Sequence, residues 1–332
     1  MFWLAGLMGI VAVGAAGLSG IMDPDDDDTA RDEADAQDAR ANPDPVEEGT
    51  IDLLDLIGGE GADTLSGGDM GDLITGAEGN DEINGYAGDD LIDGAEGHDH
   101  LHGADGQDTL TGGAGDDHLH GEDSQDVLMG GSGDDTGYGG NDDDILDGQE
   151  GDDQMHGSAG DDVVLGGSGD DALHGGLGDD TLTGGDGADT LFGGWGDDML
   201  DGVEDADANA EDQVDFLNGG GGSDAITAGE GDIVTTGDGA DTLFLGDWVV
   251  HGSAVDVMDF DAAEDRLVMI WDGDMGDQPE IDLVPDAENP NDVHLRMDGE
   301  VVALVRGGAD ISSDTIALLT SVEATALGFA AP

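Results

Sequence analysis

The 332-residue sequence has no cysteine and no lysine, and its only fixed cations are Arg31, Arg40, Arg266, Arg296 and Arg306. The missing cysteines exclude disulfide and thiolate chemistry without assigning a compartment. Against those five arginines stand 83 acidic residues, for a formal net charge of −78, which excludes nucleic acid as a partner. Catalytic signatures are missing too: there is no H-E-x-x-H, no G-x-S-x-G and no phosphate-loop lysine. Paired carboxylates such as Asp116-Asp117, Asp134-Asp135 and Asp161-Asp162 recur at every turn, so no single pair is marked as a general acid and base. The expectation is a protein that is not an enzyme.

What is present is a period of nine. Sixteen nonapeptides of the form G-G-x-G-x-D-x-U-x, with U apolar, run without a gap from Gly58 to Asp201. The first position is Gly and the sixth Asp in all sixteen, while Met70, Ser124 and Asp142 replace the fourth glycine and Gly137 the apolar residue. Six residues such as Gly58 to Asp63 suit a tight turn with positive φ at several places. Three residues such as Thr64-Leu65-Ser66 make a short strand with the middle side chain inward. Two nonapeptides then close a coil of eighteen residues, and eight coils stack to roughly 38 Å at about 4.8 Å each. The fold class expected is all-β: a parallel β-roll of about eight coils with a small β-rich C-terminal cap.

Stacking residue i on i+18 creates a problem that the composition does not solve. It sets Asp63 over Asp81 and Asp99 on one edge, and Asp72 over Asp90 and Asp108 on the other. Two carboxylates about 5 Å apart repel by about 0.8 kcal/mol even in water, and all five arginines lie outside the repeats. Hard divalent cations held by carboxylate and carbonyl oxygen are the remedy, and six to eight oxygens suit calcium better than magnesium. Net charge alone would fit a disordered acidic tract; the phase-locked apolar position argues for a fold once calcium is present, and for disorder without it.

The nonapeptides resemble those of the RTX, or haemolysin-type, calcium-binding repeat proteins, strongly over about residues 58 to 260. The resemblance implies calcium at the turns, each ion shared between residues i and i+18. In the first site, carbonyls of Gly59 and Gly61 with Asp63 would face carbonyls of Gly76 and Glu78 with Asp81. Sixteen turns so paired give about 14 complete sites. The carboxylates involved would be Asp63, Asp72, Asp81, Asp90, Asp99, Asp108, Asp117, Asp126, Asp135, Asp144, Asp153, Asp162, Asp171, Asp180, Asp189 and Asp198, with Asp224 and Asp241 from later repeats.

Four segments are expected. Residues 1–22 are apolar, uncharged in their side chains and long enough to span a bilayer, but five glycines and the lack of a basic n-region leave three readings: membrane anchor, atypical signal peptide or docking segment. Residues 23–49 are an acidic linker. Residues 50–245 hold the roll, with an acidic insertion at about 202–213. Residues 246–332 form the cap and a tail similar to the C-terminal signal of type I secretion substrates. Within the cap, Val255 to Phe260 with Asp265-Arg266-Leu267 resembles the closing segment of serralysin-like proteins, and Asp298-Gly299 between alternating runs predicts a type I′ hairpin. Together these imply an extracellular or cell-surface calcium-binding protein exported by type I secretion machinery. Two other roles fit the same residues: a calcium-dependent surface adhesin or matrix protein, and an export and folding module for a separate effector.

One feature departs from the repeat. On one outer face the ninth positions read Ser66, Asn84, His102, His120, Tyr138, His156, His174 and Phe192. His100 and His118, at seventh positions, join His102 and His120 in an exposed two-by-two patch. Such a patch suits a second metal (zinc, nickel or copper), a pH-sensitive strip with pKa raised by nearby carboxylates, or simply a solvated sheet face.

Overall fold

A computed structural model describes residues 54–203, 213–249, 253–271, 278–312 and 315–326. The period of nine becomes two sheets, of 13 and 14 strands among the described residues, with successive strands of the chain alternating between them as far as Arg266–Trp271. Each repeat strand pairs in parallel with the one eighteen residues on, as in Ile74↔Ile92 and Ile83↔Leu101. The eighth-position side chains fill the space between the sheets: Ile74, Ile83, Ile92, Leu101, Leu110 and Leu119 are fully buried. Their neighbours at positions seven and nine face out, the alternation that a strand imposes.

The strands are longer than three residues. Leu73–Glu78, Glu82–Ala87 and most of their successors span six, running on through the first three positions of the following repeat. Those positions belong to the turn, but turns of identical shape stack and bond to one another like strands; the Glu78 amide donates to the Gly59 carbonyl at 3.1 Å.

The conserved positions of the turn differ in what they demand. Left-handed φ falls at the second and fourth positions, for example at Ala77 and Gly79, and the substituted Ser124 and Asp142 hold it at 85° and 74°. These two therefore keep the turn shape at some strain. The first glycine is needed for space instead, as the next subsection shows.

The roll runs on for about ten turns rather than eight. Neither ladder breaks across the insertion. Thr190–Trp195 pairs with Phe216–Gly222 across it, and Ala225–Thr227 follows Met199–Asp201 on the other sheet. Gly137 leaves no void: a Cβ there would lie 2.5 Å from Met155 Sδ, so the methionine of the next coil fills the space. The lead-in also belongs to the roll, with Asp55–Ile57 pairing with Leu73 to Thr75.

The cap continues both sheets. Arg266–Trp271 and Ile316–Thr320 end one. The other ends in Glu300–Val305, Val293–Met297 and Ile281–Pro285, paired antiparallel. The predicted hairpin is there, with Asp298 at φ 52° and Gly299 at 92°. Among the described residues no helix is long and apolar enough to cross a membrane; the readings of residues 1–22 and 23–49 lie outside them.

Candidate metal centre

The sixth-position aspartates form two ladders, one along each edge of the roll. Each backbone amide donates to Oδ1 of the aspartate one coil on: Asp63 to Asp81 at 2.7 Å, Asp81 to Asp99 at 2.7 Å, Asp72 to Asp90 at 2.6 Å. The carboxylates from Asp72 to Asp198 are at most 3% exposed. Asp189 stands in the same row, its Oδ1 taking the Asp171 amide at 2.8 Å.

Oδ2 is where the site lies. It is buried and without a hydrogen-bond partner at Asp81, at each sixth-position aspartate from Asp90 through Asp180, and at Asp198, Asp224 and Asp241. Orphaned buried carboxylate oxygens are costly, and a row of them marks a missing ligand. The first glycine of each repeat opens the space beside that oxygen. A Cβ on Gly148 would lie 2.2 Å from Asp153 Oδ2 and 2.6 Å from the Gly166 carbonyl oxygen of the next coil. The same clash with carboxylate and carbonyl recurs at Gly130, Gly166 and Gly175. Each turn thus sets a carboxylate oxygen and carbonyl oxygens around a gap that any side chain would fill.

Protonation shows the strain of leaving those oxygens bare. Burial above all pushes Asp144 up to about 8; the amide bond it accepts opposes this, and the charges of Asp162 and Asp126 add to it. The same balance raises Asp126, Asp135, Asp171, Asp180 and Asp224 to about 7. Asp90, Asp117, Asp153, Asp162, Asp198 and Asp241 rise to about 6, and Asp99 and Asp108 also rise. A cation would reverse the direction by favouring the ionised form.

The donor set is oxygen only. Among the described residues no three His, Asp or Glu side chains converge as they would for zinc or copper. One carboxylate per turn with backbone carbonyls is instead the donor chemistry of a hard cation of variable coordination number.

A model of the RTX calcium-binding nonapeptide repeat matches six stretches, residues 55–69, 66–101, 102–137, 138–173, 174–208 and 209–232, together more than half of the chain. The chain belongs to the RTX calcium-binding repeat family. No curated protein matches it significantly. For an RTX repeat, a buried oxygen left over at each turn is where calcium fits, drawing its carboxylate and carbonyl ligands from the turns.

The first RTX turns depart from this arrangement. Asp63 Oδ2 accepts the Gly59 amide at 2.6 Å and Asp72 Oδ2 the Gly68 amide at 2.7 Å. The residues expected in the first site, Gly59, Gly61, Asp63, Gly76, Glu78 and Asp81, are brought together, but one of its two carboxylates is already engaged. At the other end the sequence reading missed three members of the ladders. Asp189 donates to Asp215, Asp215 to Asp232, and Asp241 to Asp265. Each precedes an apolar residue at the proper offset (Leu217, Val234 and Leu267), a signal obscured once the spacing changed to 26, 17 and 24 residues. The turn before Asp232 is a residue short, and there Oδ2 accepts the Gly229 amide at 2.6 Å. Thr236 takes the place of a first glycine, with its hydroxyl 3.3 Å from Asp265 Oδ2. In both places the protein supplies the partner itself.

The four patch histidines also meet, but as stacked pairs. His100 lies on His118 and His102 on His120, each with ring centroids 4.8 Å apart. Parallel rings direct their nitrogens side by side instead of at one point. The pH expectation for the patch is corrected at His120, which is shifted down first by burial and then by the His102 imidazole, whereas carboxylates were expected to raise it; His156, outside the patch, is likewise shifted down by burial and then by His174.

Proposed function

We propose that this RTX chain is a secreted or surface-attached protein, not an enzyme, whose repeats fold when they bind extracellular calcium at about 14 turns. The single observation that carries it is the set of buried, partnerless Oδ2 atoms at Asp81, at each sixth-position aspartate from Asp90 through Asp180, and at Asp198, Asp224 and Asp241. With calcium absent, closing the roll buries a carboxylate oxygen without a partner at most turns, and the chain stays open, a state suited to passage through type I secretion machinery. With calcium present, ions that bind only the folded form draw the equilibrium over by mass action. Extracellular calcium modules have Kd values of roughly 10⁻⁴ to 10⁻³ M, which sets the switch at the cell boundary.

Far-UV circular dichroism of the full chain during a calcium titration, with magnesium as control, tests this reading. The expected result is a cooperative coil-to-β change with calcium alone. A spectrum already β-rich in chelator would sink the folding switch. Of the two other roles weighed, the exposed rings on one sheet face favour a surface adhesin or matrix protein over an export module for a separate effector, because an export module has no use for them.

A further inference from the structure

The outer face of the 14-stranded sheet carries one ring per coil: His102, His120, Tyr138, His156, His174 and Phe192. From His102 to His156 the rings stack with centroids 4.8 to 5.0 Å apart and planes within 6° of parallel. Beyond His156 the column opens, to 5.8 Å and 37° at His174 and to 6.2 Å and 35° at Phe192. There a groove of about 390 Å³ is lined by Tyr138, His156, His174 and Ser158, with Leu177 and Trp195. Leu177 is 57% exposed and Trp195 70%. Indole carbons Cε3 and Cζ3 of Trp195 lie 3.5 Å from where a Cβ on Gly221 would sit, so the indole rests against the next coil while most of the residue stays exposed.

The chemistry of this groove is unlike the rest of the surface. No carboxylate lines it, in a chain of net charge −78. Its polar groups are imidazoles, a phenol and a hydroxyl, groups that can both donate and accept a hydrogen bond. Its apolar surface is an exposed indole and an isobutyl group. An anion would use only the donors and would be repelled by the surrounding charge. A cation would use only the acceptors. Groups that donate and accept, set beside flat apolar surface, match hydroxyls on a C–H-faced ring. The groove is open and the ring column continues along the roll for several coils, so a linear ligand can extend along it.

We propose that this groove binds an uncharged linear glycan laid along the roll axis, with sugar C–H faces on Trp195 and Leu177 and hydroxyls bonded to His156, His174 and Ser158. The site requires a folded roll and so rests on the calcium reading, to which it adds a ligand class.

The test uses the full chain in saturating calcium on an array of neutral and anionic glycans. Benzyltrimethylammonium, followed by indole fluorescence, serves as a cationic comparator. Neutral linear glycans are expected to be retained. Trp195→Ala should weaken them about tenfold or more, the scale of losing one aromatic anchor, and His156→Ala should weaken them less. Circular dichroism should show the calcium midpoint of both variants unchanged. Three results overturn the proposal: no neutral glycan retained by protein that is β-rich in calcium, retention indifferent to Trp195→Ala, or an indole response to benzyltrimethylammonium alone. If calcium fails to give a β-rich spectrum, the calcium-folding reading has failed, not the groove.

Discussion

Between Ile74 and Leu200 each coil buries two carboxylates and, except at Gly137, two apolar side chains, and no lysine or arginine lies in these repeats. Between Val255 and Val305 the same sheets continue, yet the buried set becomes Val255, Val257, Leu267, Met269, Leu295, Met297, Val302, Ala303 and Val305. Two carboxylates in the cap have a basic partner. Arg306 grips both carboxylate oxygens of Asp256, which is fifty residues away in sequence. His294 lies 2.7 Å from Asp286, whose carboxyl is held down at about 2 by the Asn289 amide first and His294 second. One backbone architecture is thus stabilised in two ways. In the cap, hydrophobic burial dominates, and only His294 Nδ1 and Arg296 Nε are buried there without a partner among the described residues; in the roll the core is thin and the charge unbalanced, which is why the proposed function assigns the stabilising term to ions.

Calcium removal should break the comparison open most widely. Amide hydrogen exchange of the full chain in chelator is expected to show the repeats from Leu73 to Asp201 unprotected and the hairpin Val293 to Val305 still protected. Equal protection of both would mean that the thin core holds the roll unaided, and equal exposure that the cap depends on the roll.

Acidity should move the two regions differently. Ladder aspartates such as Asp90, Asp135 and Asp144 have folded pKa values raised to about 6, 7 and 8, above an unfolded value of about 4. A raised pKa contributes stability that is fully present below the unfolded value and is lost as pH rises through the folded one. In chelator, then, lowering the pH from 8 towards 4 should restore β structure to the repeats, since protons take the place of calcium. In calcium, the midpoint concentration should rise as pH falls from 8 to 6, because protons compete for the same oxygens. Circular dichroism at a series of pH values checks both. A calcium midpoint independent of pH across that window would contradict the assignment of these carboxylates. In the cap, Asp286 is lowered instead, so its contribution is present above the unfolded value and lost only towards about pH 2.

A single turn sharpens the contrast further. Gly148→Ala places a methyl 2.2 Å from Asp153 Oδ2, inside the space the ion needs. The expected cost is about 1–3 kcal/mol of overpacking, together with loss of an ion from the stoichiometry measured by calorimetry. Asp153→Asn should also lower calcium stoichiometry, but in chelator it should leave the repeats more ordered than the parent, because a buried charge has gone. Gly299→Ala in the cap has nothing within 4 Å of its new methyl and bears only the strain of φ 92°, about 1 kcal/mol, with calcium stoichiometry unchanged.

How much of this was legible in the sequence follows from which physics is local. The period of nine, the inward Leu and Ile and the acidic edges could all be taken from spacing, because a solenoid repeats each local environment. The Asp298-Gly299 hairpin was legible for the same reason. Asp215, Asp232 and Asp265 were not, because their places in the ladders depend on partners 26, 17 and 24 residues away and only the fold restores the register. The distinct role of the first glycine was hidden as well. Composition shows a glycine but not that its missing Cβ faces a carboxylate, nor that the fourth position tolerates Ser124 and Asp142 in left-handed conformation.

The smallest effect concerns Gly137, the one core position without an apolar side chain. From sequence it is a hole, and filling it with the leucine found in most other repeats should stabilise the roll. In the structure Met155 Sδ occupies that space, 2.5 Å from where a Cβ would be. A methionine is flexible enough to withdraw, so Gly137→Leu should be close to neutral or mildly destabilising, while Met155→Ala should cost about 2–5 kcal/mol by opening a true cavity. Combining the two should recover much of that loss, since the new leucine would fill the space Met155 vacates. Such non-additivity is the signature of shared volume, and thermal melts in saturating calcium would measure it. Additive effects would mean that the two side chains do not compete, and that the coil around Gly137 is underpacked after all.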